Sequence, residues 1–422
     1  MLVLALGVTA LVVLRQGPER AVVPGASRAV GSTPDADDTR GDAGSALLGT
    51  LSTALERGSR SELTRLAPTG DAAATRQLIT LRANVRALRI TGLSMRYVEE
   101  SAPADDQPAL GSDDWVADVA VTWRLRGFDA HDSTMEVPLV LRLTGDRARF
   151  VSSRYDAGQP APLWLLDRVG VRRTPRSLVM AAVGQSTARF SRLADQAVLD
   201  VRKVLTRWRG RLVVEIPADQ GQVTQVLGQS AGDYAEIAAV TTTVDRSTSS
   251  AAPVHVFVNP RVFDPLGPRG SQIVLSHEAT HVATDAALSD MPTWLLEGFA
   301  DYVALDHVDL PVSVTASQIL AQVRRSGAPA HLPGAREFSG QNKQLGASYE
   351  AAWLACRLLG ETYGERRLIA FYRASARASS TTAAFRDVLG TDQGAFTRAW
   401  RAELRRLSQA EAAAGSGTPS RR

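Results

Sequence analysis

Hydrophobic positions change their period several times along these 422 residues. After Met1 comes an almost unbroken apolar run, Leu2-Val-Leu-Ala-Leu-Gly-Val-Thr-Ala-Leu-Val-Val-Leu14. It is shorter than the ~20 residues a comfortable membrane span needs, and suits a signal-peptide core or the end of a signal anchor. No basic residue precedes it, whereas Arg15, Arg20 and Arg28 follow; a start site further upstream would account for both the shortness and the bare flank. Residues 15–42 are rich in Gly, Pro, Asp, Ser and Arg with no apolar period, which predicts a linker. Helical spacing then covers 46–66 and 71–88. Strand alternation follows: Trp115, Ala117, Val119, Val121, Trp123 and Leu125 face away from Asp118, Thr122 and Arg124, and Val137, Leu139, Leu141 and Leu143 repeat the pattern. A turn at residues 144–147 leads to a third strand at 148–151. Together these predict a small α+β domain over residues 43–158.

Residues 159–184, with Trp164 and several prolines, read as a connector. From 185 the pattern changes. A strong amphipathic helix at 190–208 precedes a strand at 211–217, a helix near 221–227, and strands at 237–244 and 254–258 joined by a Thr/Ser-rich loop. The next helix carries the chemistry, and Ser271, after Pro268 and Gly270, is its expected N-cap. Further helices are expected at 291–305, 312–326, 349–363, 365–376, 381–389 and 394–407, the later ones forming a helical lobe. Residues 408–422 are small and polar, a tail expected to be disordered. The fold class is α+β, with residues 185–407 as the second, larger domain.

The stretch Gly270-Ser-Gln-Ile-Val-Leu-Ser-His-Glu-Ala-Thr-His-Val-Ala-Thr-Asp285 contains an H-E-x-x-H. Residues four apart share a helix face, so His277 and His281 can reach one metal ion, with Glu278 beside them to take a proton from water. The alternative is a solvated polar face that happens to spell the motif. Sixteen positions after His281 stands Glu297, in Met291-Pro-Thr-Trp-Leu-Leu-Glu-Gly-Phe-Ala-Asp-Tyr-Val-Ala-Leu305, another helix, with Ser289 or Asp290 as its expected cap and Pro292 in its first turn. A catalytic zinc takes three protein ligands and keeps one open position, and Glu297 completes a His2Glu set. Asp301, four residues on, lies on the same face, where it can hold the far nitrogen of a ligating histidine.

These blocks resemble the gluzincin metallopeptidases. Trp294-Leu-Leu-Glu-Gly-Phe-Ala-Asp-Tyr302 is similar to the W-L-x-E-G-F-A block of aminopeptidase-N-like enzymes, and the Glu297–Asp301 spacing is similar to that of thermolysin. Ser348-Tyr-Glu-Ala-Ala-Trp353 looks like the Y-E-K-G-A stretch of the same aminopeptidases, which implies that Tyr349 polarises the scissile carbonyl and steadies the oxyanion. Tyr349 also opens the apolar pattern Tyr349, Ala352, Trp353, Cys356, Leu359, and a core aromatic is its alternative reading. The resemblance spans roughly 185–407 and implies a Zn2+-dependent peptidase acting on a peptide or protein substrate. The segment that grips a free amino terminus in those aminopeptidases is missing, so cleavage within chains is the expectation; an aminopeptidase and a catalytically vestigial membrane-anchored scaffold are the alternatives. Strands followed by an H-E-x-x-H helix match the order of such peptidases, with the last strand, 254–258, expected as the sheet edge facing the cleft. His255 on that strand reads as a satisfied structural histidine. The element order of residues 43–158 resembles the nuclear-transport-factor-2-like (NTF2-like) cone.

Composition adds little to this picture. The net charge is +4, from 48 basic and 44 acidic residues, and Lys203 and Lys343 are the only lysines. No basic cluster is interleaved with aromatics, which disfavours nucleic acid as a partner. The single cysteine, Cys356, cannot staple the fold and reads as a buried thiol. The apolar run at 1–14 predicts an extracytoplasmic protein of a bacterial cell envelope, secreted or membrane-anchored.

Overall fold

The computed structural model describes residues 36–101, 110–153, 159–228, 236–306, 308–339, 342–377 and 381–416. The apolar run, linker residues 15–35 and the last six residues of the expected tail lie outside them. Among the described residues no helix is long and apolar enough to cross a membrane.

The chain is mixed α+β, with one antiparallel and one mixed sheet. It opens with α1 (Ala36–Glu56), α2 (Arg60–Leu66) and α3 (Ala72–Leu88). Residues 36–42, assigned to the linker by composition, are the first two turns of α1. The single helix expected over 46–66 is two. Ser59 accepts from the Glu62 N–H while the Glu62 carboxylate accepts from the Ser59 N–H, a capping box that restarts the helix after Gly58. Four strands follow, β1 (Ile90–Ser101), β2 (Asp114–Leu125), β3 (Ser133–Thr144) and β4 (Arg147–Ser153), in antiparallel order 1-2-3-4. β1 is absent from the sequence reading because register shifts between Thr91 and Ser94 and between Tyr97 and Glu99 break its alternation.

The expected connector is not one. After the short α4 (Leu163–Leu166), residues 159–184 form β5 (Val169–Arg173) and β6 (Ser177–Ala182), the first two strands of the second sheet. The prolines around them punctuate hairpin ends and mask the strand signal. Next come α5 (Thr187–Val204), β7 (Leu212–Ile216), α6 (Gln220–Leu227), β8 (Ala239–Thr243), β9 (Val254–Val258), α7 (Pro260–Phe263), α8 (Gly267–Ala283) and α9 (Thr293–Leu305). The sheet order is β5-β6-β7-β9-β8, with β6, β7 and β9 parallel and both edges antiparallel. The edge strand on this side is therefore β8, and β9 is interior, contrary to the expectation for 254–258. Pairing with β7 claims one side of β9, and the Thr/Ser-rich loop folds β8 back onto the other.

Both faces of this sheet are buried, which explains its near-continuous apolar runs. Val179, Val214, Ile216, Val256 and Val258 pack into one core with α5 and α8. Leu178, Met180, Val213, Val240 and Phe257 point the other way, into a second core shared with the amino-terminal helices and sheet. Each such side chain is worth ~1.5–3 kcal/mol when fully buried, so the two units are joined by a real core and not by a tether. Asn84 of α3 fixes their register. Its amide donates to the Trp164 and Asp167 carbonyls and accepts from the Val169 N–H.

His255 lies on the same face, sealed between the two units. Its Nδ1 is 2.7 Å from Glu215 Oε1 and its Nε2 is 3.0 Å from Asp129 Oδ1. A ring with carboxylate oxygens at both nitrogens donates through both as the imidazolium. Burial pulls its pKa down, but Asp129 and Glu215 outweigh that and raise it from 6.5 to about 9. A raised folded-state pKa means stability fully present below 6.5 and lost as pH climbs through about 9, on the order of 3 kcal/mol in all. In NMR titration one histidine ring should have its midpoint near 9; a value near 6.5 for every ring would show that the carboxylates do not hold it.

The rest is helical: α10 (Val312–Thr315), α11 (Ser317–Ser326), α12 (Leu345–Tyr363), α13 (Glu365–Arg377), α14 (Thr381–Leu389) and α15 (Gln393–Ser416). α15 runs on through residues 408–416, which composition assigns to a disordered tail; Ser408 there is buried and donates to the Leu320 carbonyl.

Candidate metal centre

α8 starts earlier than its sequence implies. Gly267 and Pro268 form its first turn, where a missing N–H costs nothing, and Ser271 lies inside the helix instead of capping it. The Ser271 hydroxyl accepts from Arg189. Similarly, α9 has Pro292 at its N-cap, with no side-chain cap from Ser289 or Asp290. From Ile273 to His281 every residue of α8 is buried, between α5, the sheet and α9. The motif is therefore not a solvated polar face.

The side chains named from sequence meet. His277 Nε2 lies 3.1 Å from Glu297 Oε2 and 3.0 Å from His281 Nε2, and His281 Nε2 is 3.5 Å from the same carboxylate oxygen. Among the described residues these three form a buried group able to hold a metal ion. Asp301 accepts from His277 Nδ1 at 2.7 Å, which leaves Nε2 of that ring facing Glu297 and His281. Burial raises the Glu297 pKa, but His281 and His277 outweigh it and bring it to about 2, so the carboxylate is an anion facing the two rings. A divalent cation among them suits that charge.

Glu278 is fully buried. Burial raises its pKa against the pull of His277, His281 and Thr241. Its Oε2 accepts from Thr241 Oγ1 at 2.5 Å, while Oε1 has no partner among the described residues. Among the described residues His281 Nδ1 is likewise buried without a hydrogen-bond partner, and Tyr349 Oη is buried with Glu297 as its nearby carboxylate and no well-formed hydrogen bond. Leaving such a group unsatisfied costs ~1–3 kcal/mol, and a native fold keeps several in one place where an ion, water or ligand belongs. Tyr349 stands on α12, its ring 6.3 Å from that of His277 and edge-on to Phe338 at 5.0 Å. Burial, then Glu297 and Asp301, push its phenol well above its usual range, so it keeps its proton as a donor.

The helices carrying these groups touch closely. A Cβ on Gly298 of α9 would lie 2.3 Å from the Ala352 carbonyl oxygen of α12 and 3.1 Å from Cys356 Sγ. Only glycine allows that approach, with Cys356 as the inert buried thiol expected. Gly298→Ala should cost about 1–3 kcal/mol, since backbone must move. As α9 also carries Glu297 and Asp301, metal binding should weaken by about tenfold; thermal melts and metal titration check both.

His255 and His331 are not part of this cluster: His255 is the inter-unit clamp, and His331 is exposed and bonded to the Leu332 carbonyl. Two contributors escaped the sequence reading. Thr241 sits in a strand that was recognised, but nothing local marks which of three consecutive threonines faces the motif. Glu350 follows Tyr349; it accepts from the Ile319 N–H at 2.7 Å, pinning the start of α11 to α12, and burial raises its pKa to about 7.

Compared with known proteins, the chain matches no family model and none of the curated proteins searched.

Proposed function

We propose that this chain is a zinc-dependent hydrolase, a metallo-endopeptidase of gluzincin type whose site is the α8–α9–α12 cluster. The observation that carries this reading is the convergence of two imidazoles and one carboxylate around a buried point, next to a glutamate with one free oxygen. A tetrahedral zinc with bonds of ~2.0–2.1 Å sets its donor atoms roughly 3.3 Å apart, close to the spacings of 3.0, 3.1 and 3.5 Å here. His277, His281 and Glu297 would hold the ion, and Asp301 would orient His277. Bound there, Zn2+ supplies Lewis acidity, bringing the ionisation of water down toward pH ~7 and polarising a substrate carbonyl. Glu278 accepts the water proton at Oε1 and delivers it to the departing amine. The Tyr349 O–H donates to the oxygen on which charge develops. An extended peptide would lie along β8, which has no strand on its outer side among the described residues, through main-chain hydrogen bonds.

On the same reading the amino-terminal unit, three helices with a four-stranded antiparallel sheet, is an NTF2-like spacer. The apolar run at 1–14 would place the protein outside the cytoplasm, anchored or secreted. The experiment is cleavage profiling of a peptide library by purified protein with zinc, with Glu278→Gln as the blank. Cleavage inside chains that disappears in the blank and with a chelator is the expected result. Removal of single amino-terminal residues would favour an aminopeptidase instead, and no metal-dependent cleavage would leave a scaffold.

A further inference from the structure

We propose that Thr241 is a positioning residue for Glu278, so that the edge strand of the sheet sets which carboxylate oxygen can handle a proton. This rests on the hydrolase reading above. Thr241 is fully buried on β8, opposite Val256 of β9. Its Oγ1 lies 2.5 Å from Glu278 Oε2 and 3.2 Å from the Glu278 main-chain oxygen. A hydroxyl has one proton, and the nearer acceptor, the carboxylate oxygen, takes it.

The consequence lies in what remains. Glu278 has three side-chain torsions, and Thr241 is the side-chain partner found for its carboxylate. With one lone pair of Oε2 taken by Thr241, Oε1 is the oxygen with both lone pairs open, buried without a partner among the described residues. The neighbouring threonines do other work: Thr243 donates to the Ser247 carbonyl, and Thr242 pairs across the ladder with His255. Alternation along the strand selects 241 as the position whose side chain meets α8, a contact made across 37 positions of sequence. General base catalysis depends on placing the accepting oxygen within hydrogen-bond reach of its proton, so a base free to rotate loses rate without losing substrate affinity.

Thr241→Val keeps the β-branched shape and removes the hydroxyl, whereas Thr241→Ser keeps the hydroxyl and removes a methyl. A packing role predicts that Ser is the worse substitution; positioning predicts that Val is. The expected result is a kcat 10- to 100-fold lower in Val, with KM within about twofold and zinc stoichiometry unchanged, and Ser within about fivefold of the parent. Should Val not fold, Thr241→Ala carries the same expectation. A readout independent of turnover is the crystal structure of each variant: Glu278 should occupy one rotamer in the parent and Ser forms and several in Val or Ala. A single parental rotamer in the variants lacking the hydroxyl, or full kcat in them, overturns the proposal. The hydrolase reading fails separately, if Glu278→Gln is as active as the parent, and the rotamer comparison still decides the role of Thr241.

Discussion

Glu278→Gln should hold zinc as well as the parent and turn over at least about 10³-fold more slowly. The substitution is nearly isosteric at a fully buried position. The amide oxygen of glutamine can still accept from Thr241 at the position of Oε2. Its NH2 group then falls where Oε1 stands, the carboxylate oxygen without a partner. That group is a donor only and cannot take a proton from water. Everything else that binds metal or substrate is unchanged, so the loss should appear in kcat while the zinc content measured by elemental analysis stays at the parental value. Wild-type rates in this variant, on every peptide the parent cleaves, would remove Glu278 from the chemistry.

The second large effect is on the metal. Glu297→Ala should weaken zinc affinity on the order of 10³-fold, a share of a total that reaches ~10–16 kcal/mol for complete zinc sites. The carboxylate is the anion of the set, held near pKa 2 by the two rings after burial is overcome, and alanine leaves both rings buried against an empty corner. Asp301→Asn should cost less, about 10- to 100-fold, because Asp301 acts through His277 and an amide oxygen can still accept from Nδ1. Competition titration against a calibrated chelator ranks the two. Equal losses would mean that Asp301 is itself a ligand; no loss in Glu297→Ala would break the proposed ligand set.

The parts of the site that were legible in the sequence are those that depend on local geometry. His277 and His281 share a face because a helix repeats every 3.6 residues, and Glu297 and Asp301 do so for the same reason. Tyr349 was named from its resemblance, and the structure brings it beside His277, although its ring also packs in the core. Strands with unbroken alternation were found, whereas β1 was lost to its bulges and β5–β6 to the prolines around them. Helix ends were misplaced where no side-chain cap exists, at α8 and α9.

Sequence by itself determined the spacing of His277, His281 and Glu297, the glutamate between the two histidines and the division into an α+β first half and a largely helical end. The tertiary structure alone decided that β8 and not β9 is the edge, that the two units share a core, that His255 is clamped by carboxylates 40 and 126 positions away, and that the Thr241 hydroxyl meets the Glu278 carboxylate. The physical reason is range: a helix face follows from backbone rotation per residue, whereas strand order and the partner of a buried carboxylate follow from which distant segments exclude water together.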